Sequence, residues 1–126
     1  MEGSLIDVAP GADSSPLATL LAELVRRNVG RDKGKRAEFD RLRGAVAVVA
    51  EDHPTALTLR FDFGRLIVHD GVVGVPDITL RGPLSALEGL GEHRARAFGP
   101  RSDLTVYGLW THPLMVRRLL RVLSER

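Results

Sequence analysis

Leu57-Thr-Leu-Arg-Phe-Asp62, then Gly64-Arg-Leu-Ile-Val-His-Asp-Gly71, then Pro76-Asp-Ile-Thr-Leu-Arg81, is the stretch that decides the fold. Leu57, Leu59 and Phe61 alternate with Thr58, Arg60 and Asp62, the period-two pattern of a strand with one dry face. A short turn around Phe63-Gly64 leads into a second strand over 66–69, which Asp70-Gly71 breaks. Residues 75–80 supply a third, with Ile78 and Leu80 facing inward and Thr79 and Arg81 outward. Three strands so close together, joined by tight turns, favour antiparallel pairing.

Working outward, residues 45–50 form a valine-rich apolar run that reads as a strand buried on both faces. Upstream, Ser15-Pro16 is a helix start, with serine as N-cap and proline at the first helical position. Leu17, Leu20, Leu21 and Leu24 follow at the spacing of a half-buried helix, which Asn28 and Gly30 are expected to end. Asp32 caps a second, more polar helix through Leu42, with Phe39 and Leu42 inward and Gly44 closing it. Residues 1–15 read as a flexible leader rather than a signal peptide, lacking a basic start and an apolar block.

Downstream, Gly82-Pro83 opens a short helix carrying Leu84, Leu87 and Leu90, and residues 91–103 read as irregular. Residues 104–110 form a last strand, with Leu104, Val106 and Trp110 on one face. His112-Pro113 opens a final helix on which Met115, Val116, Leu119, Leu120, Val122 and Leu123 share one arc, opposite Arg117, Arg118 and Arg121. This order predicts an α+β fold, a mainly antiparallel five-stranded sheet covered on one face by helices. Residues 16–126 make a single domain.

Composition narrows the function. The chain has 126 residues, 44% hydrophobic and 27% charged, which is ordinary for a globular protein. There are no cysteines, which excludes disulfides and thiolate chemistry and fits a cytoplasmic location. The net charge is +2 and aromatics are 5%, a poor match to the basic, aromatic-studded face of a nucleic-acid binder. The basic run from Arg26 to Arg43 is diluted by Asp32, Glu38 and Asp40 and reads as a solvated helix face, with at most transient contact to an anionic membrane surface.

No catalytic constellation is visible. His53, His69, His93 and His112 lack metal-ligand spacing, no serine sits in a nucleophile elbow, and the glycines match no phosphate loop. The expectation is a protein that is not an enzyme and needs neither metal nor cofactor.

The ordered series of motifs around 57–81, the short helix after it and the block Leu104-Thr-Val-Tyr-Gly108 before a leucine-rich terminal helix resembles the sterol carrier protein type 2 family. The likeness runs over roughly residues 17–124. It implies a helix-covered sheet with an apolar cavity for a fatty acid, acyl conjugate or sterol. Leu84, Leu87, Leu90, Phe98, Val106, Trp110, Met115 and Leu119 are then the expected ligand-lining residues. Without the resemblance the same residues read as ordinary core, and the alternative is a ligand-free homodimeric interaction module; the carrier itself is expected as a monomer or a homodimer.

Overall fold

The alternation at Leu57, Leu59 and Phe61 sets the hub of the molecule, because each of these side chains is fully or almost fully buried while Arg60 and Asp62 are exposed. The computed structural model describes residues 5–89, 104–108 and 110–123. In chain order these form β1 (Ile6–Val8), a 3-10 turn (Ala12–Ser14), α1 (Pro16–Arg31), α2 (Lys33–Arg41), β2 (Arg43–Ala50), β3 (Ala56–Asp62), β4 (Leu66–Asp70), β5 (Ile78–Gly82), α3 (Leu84–Glu88), β6 (Thr105–Tyr107) and α4 (Pro113–Leu123). One mixed sheet runs in the order β1-β4-β3-β2-β5-β6.

The α+β class and the mainly antiparallel pairing are as expected, three of the five strand pairs among the described residues being antiparallel; the sixth strand and the two parallel pairs are not. A sixth strand, β1, lies in the segment expected to be a loose leader and pairs parallel with β4, setting Ile6 opposite Leu66. Ile6 is buried, the Leu66 amide donates to the Leu5 carbonyl at 2.8 Å and the Ala9 amide to the Val68 carbonyl at 2.8 Å. Three residues are too few to show an alternation, so this strand had no readable signal. The second parallel pair is β2 with β5, Val46 opposite Ile78 and Val48 opposite Leu80.

That parallel pair requires the chain to cross the sheet between β4 and β5, and residues 71–77 do so over the face away from the helices. Thr58, expected on the wet side of its strand, is buried beneath this crossover. Its hydroxyl donates to the Gly71 carbonyl at 2.7 Å and accepts from the Val73 amide at 2.9 Å. Ala47 on the same face of β2 is also buried, so β2 is covered on both sides at its centre.

The helical layer follows its caps. Ser15 Oγ accepts from the Ala18 amide at 3.3 Å with Pro16 at the first helical position. The helix runs to Arg31, past the expected stop, because Asn28 is not a terminator. It is buried, and its side-chain amide donates to the Val122 carbonyl of α4 at 2.8 Å. Asp32 caps α2 by accepting from the Gly34 and Lys35 amides at 2.8 and 3.2 Å. Leu42, not Gly44, ends α2. Phe39 meets Phe61 edge to face, ring centroids 6.2 Å apart. On α4, Val116, Leu119, Val122 and Leu123 are buried, while Arg118 and Arg121 flank Glu38 at 3.7 and 3.6 Å. Such partly solvated pairs are worth about 0–1 kcal/mol each, so the apolar seam carries the packing.

One knot fixes where α4 begins. The Asp77 amide donates to the Ala45 carbonyl at 2.8 Å, and the Asp77 carboxylate accepts from the Ala45 amide at 2.9 Å. Gly108 packs on this knot at φ +99°, where a side chain would collide with the Asp77 carbonyl. The Gly108 carbonyl then accepts from the His112 amide at 2.8 Å, turning the chain into α4. This turn ends β6 at Tyr107, so the strand expected through Trp110 is shorter than anticipated.

Candidate functional site

The eight residues expected to line a ligand cavity do not share one environment. Leu90 and Phe98 lie outside the described residues. Leu87 and Leu119 are fully buried, part of the continuous core between the helices and the sheet. Leu84, Val106 and Met115 are half-buried and packed against that core. Trp110 is 92% exposed, because the glycine turn carries it off the strand and away from the inner face.

The inner face is tightly filled at its centre. Val46, Val48, Leu57, Leu59, Leu80 and Leu119 are all inaccessible to solvent. Among the described residues, three grooves open at the surface. The first, about 770 Å³, runs beside α1 and reaches the end of α3. Its floor is Pro16, Leu20 and the nearly buried Leu24; its rim includes Thr19, Arg27 and Glu88. Such a volume lies within the range of small-molecule sites, roughly 300–1,000 Å³.

Two further grooves meet where α2 gives way to β2 and α4 begins. One, about 810 Å³, lies between the crossover and the ends of β2 and β3, and includes Arg60, Val73 and Val75. The other, about 390 Å³, includes Arg41, Leu114 and Arg118. Arg43, His112 and Met115 line both, so among the described residues Met115 is the one expected ligand residue that lines any of these three grooves.

These positions were largely missed by sequence reasoning. Leu20 sits on the edge of the α1 stripe, and that edge position was the available signal. Arg41 and Arg43 were read as part of a solvated basic face. Part of that face is so: Arg26 pairs with Glu23 at 2.6 Å and Arg36 with Asp40 at 3.1 Å, all well exposed. Lys35 is instead buried.

Ionisable chemistry is sparse. Among the described residues no three His, Asp or Glu side chains converge as a metal site would require. His112 Nε2 lies 3.7 Å from Asp77 Oδ1, and both residues stand beside the glycine knot rather than in an enclosed pocket. Among the described residues no helix is long and apolar enough to cross a membrane.

The helix-covered mixed sheet has the fold of sterol-carrier-protein-2-like domains. Its likeness to solved structures is specific in fold. It is similar to a ubiquinone synthesis protein, UbiJ-SCP2, with a TM-score of 0.64 and 20% identity over 85% of this chain and 91% of that one. It is similar to a sterol carrier protein 2, with a TM-score of 0.56 and 14% identity over 80% of this chain and 88% of that one. A conserved protein of Thermus thermophilus, solved in solution, matches at a TM-score of 0.50 and 16% identity, over 79% and 81% of the two chains. No protein-family model and no curated protein matches the sequence.

Proposed function

We propose that this domain is a non-catalytic binder of an apolar, lipid-like molecule. The observation that carries this reading is the sterol-carrier-protein-2-like fold combined with a groove of about 770 Å³ whose floor is Pro16, Leu20 and Leu24. Sterols and ubiquinone, named in the descriptions of two similar structures, are both large and mostly apolar. The rim is polar and mixed in charge, with Thr19 and Arg27 beside Asp13, Glu23 and Glu88, and would meet the polar head of an amphiphile.

The ligand reaches the interior by moving α3. This helix has five residues, and the side-chain bond at its N-terminus is an exposed one, from the Leu84 amide to Asp52 Oδ1 at 2.8 Å. It still buries Leu87 completely, with Leu84 half-exposed above it. Displacing so short an element exposes the Leu87 site beneath it, next to the groove rim at Glu88.

Organic extraction of the purified protein followed by lipid mass spectrometry tests the reading. A stoichiometric fatty acid, sterol or polyprenyl quinone is the expected result. Empty protein whose melting temperature is unmoved by a panel of those three classes would refute it, since a ligand at 100 times its Kd adds about 2.7 kcal/mol of stability.

A further inference from the structure

We propose that the corner bounded by Phe63, Val75, Trp110 and Leu114 docks on an anionic phospholipid bilayer. Large apolar side chains at this corner face water. Val75 is 91% exposed and Trp110 92%, with Phe63 at 63% and Leu114 at 54%. Isolated exposed apolar residues are ordinary, but two of these four line adjoining grooves and the other two stand beside residues that line them. Val75 lines one groove and Leu114 the other, and the two share Arg43, His112 and Met115. Trp110 is next in sequence to Thr111, which lines the second groove. The Arg43 guanidinium lies 5.9 Å from the centre of the Phe63 ring.

Phe63 is held there against its backbone preference. It sits at φ +44°, the one non-glycine positive φ among the described residues, at the tip of the β3–β4 turn. A turn followed by Gly64 suits asparagine far better than an aromatic residue. Strain of this kind marks a position where function overrides backbone preference, and a surface outside the chain would give the exposed ring its contact.

Charge selects the partner. The two grooves carry Arg41, Arg43 and Arg60, with Arg118 already paired to Glu38, against Asp62 and Asp77, so cations outnumber anions there. Arginines interleaved with Trp, Phe, Leu and Val match the bilayer interface, where aromatic side chains settle at headgroup level and cations meet anionic lipid. A nucleic acid would use the arginines but leave Val75 and Leu114 in water, and an apolar protein partner would leave the arginines unpaired. This surface is separate from the α1 groove, so the proposal stands whether or not a lipid is carried inside.

Trp110 is the only tryptophan, which makes the intact protein its own reporter. Added vesicles of phosphatidylcholine mixed with phosphatidylglycerol are expected to shift its emission to the blue and to expose it to quenching by brominated acyl chains. Vesicles of phosphatidylcholine alone should bind far less, and raising salt to about 1 M, where the screening length falls to about 3 Å, should release the protein. Each arginine near the membrane contributes about five-fold in affinity, so Arg41→Gln with Arg43→Gln should weaken binding about 25-fold. The pair Arg26→Gln and Arg31→Gln on α1 should leave it within about two-fold, since those exposed residues line none of the grooves. Far-UV circular dichroism keeps a misfolded variant from being read as a binding defect. Unshifted emission with anionic vesicles, equal binding to neutral ones, or loss confined to the α1 pair would overturn the proposal. So would a tryptophan already blue-shifted in a vesicle-free dimer, or one that responds to single-stranded DNA and not to lipid.

Discussion

Truncating Leu119 to alanine measures how firmly α4 is seated on the sheet. Leu119 is fully inaccessible, as are Val122 and Leu123 on the same helix. Removing its three outer carbons forfeits about 2.4 kcal/mol of transfer free energy at about 0.8 kcal/mol per carbon. An unrelaxed cavity adds to that, and comparable truncations cost roughly 2.7–5 kcal/mol. The expected loss is about 3.5 kcal/mol. In urea, with a slope near about 2 kcal/mol/M for a domain of this size, the midpoint should fall by about 1.7 M at unchanged slope. A loss below about 1 kcal/mol would refute the reasoning, because it would mean the seam relaxes around the missing atoms and α4 is not held in place. The same burial changes what a charged residue would do there. An unpaired buried charge costs several kcal/mol, comparable to a domain's entire stability, so Leu119→Asp should unfold the protein rather than selectively empty a binding site.

Other substitutions probe the remaining joints. Gly108→Ala should cost about 3 kcal/mol or more, from the positive φ together with the collision against the Asp77 carbonyl, read as a fall of about 10 °C in Tm. Asn28→Ala leaves the buried Val122 carbonyl without its donor and should cost about 2 kcal/mol in chemical denaturation. Asn28→Asp, whose ionised side chain has no donor either, should cost at least as much. Leu20→Glu tests the α1 groove: with the residue 37% exposed, Tm should move by no more than about 3 °C while uptake of a fluorescent fatty acid falls about ten-fold. Unchanged uptake in that variant would remove the groove from the binding path.

The features that were legible in the sequence share one property: each is a repeated or two-point signal. Leu57, Leu59 and Phe61 show three beats of an alternation, and the structure buries all three. Ser15 with Pro16, and Asp32 before α2, are cap signals with a defined acceptor, and both caps form. What escaped was set by tertiary contact. β1 exists because β4 offers it an edge, which no property of Ile6–Val8 announces. Trp110 leaves the inner face because Gly108 must approach the Asp77 backbone, a meeting of residues 31 positions apart, as 108 − 77 shows. Thr58 is buried because the crossover passes over it. The expected ligand residues met the same barrier: hydrophobic spacing places Leu87 and Leu119 indoors, and both are there, but burial under a partner lipid and burial under neighbouring side chains leave one and the same pattern.

The closed centre of the inner face bears directly on the carrier reading. A dry void of about 300 Å³, enough for a small lipid, would cost on the order of 7 kcal/mol at the slope seen for truncation cavities. That rivals the whole stability of a domain, about 5–15 kcal/mol. A binder of apolar molecules is therefore expected to be filled by its own side chains when empty, and the full burial of Leu87 and Leu119 agrees with that expectation. The cost of opening then falls on the elements that are cheapest to move. Among the described residues α4 is a poor choice, clamped by Asn28 and by Glu38 between Arg118 and Arg121. The five-residue α3, beside the α1 groove, is the better one. Ligand-dependent hydrogen exchange should accordingly change at Ser85–Leu87 while the Val122 end of α4 stays protected; opening confined to α4 would place the entrance on the other side of the helical layer.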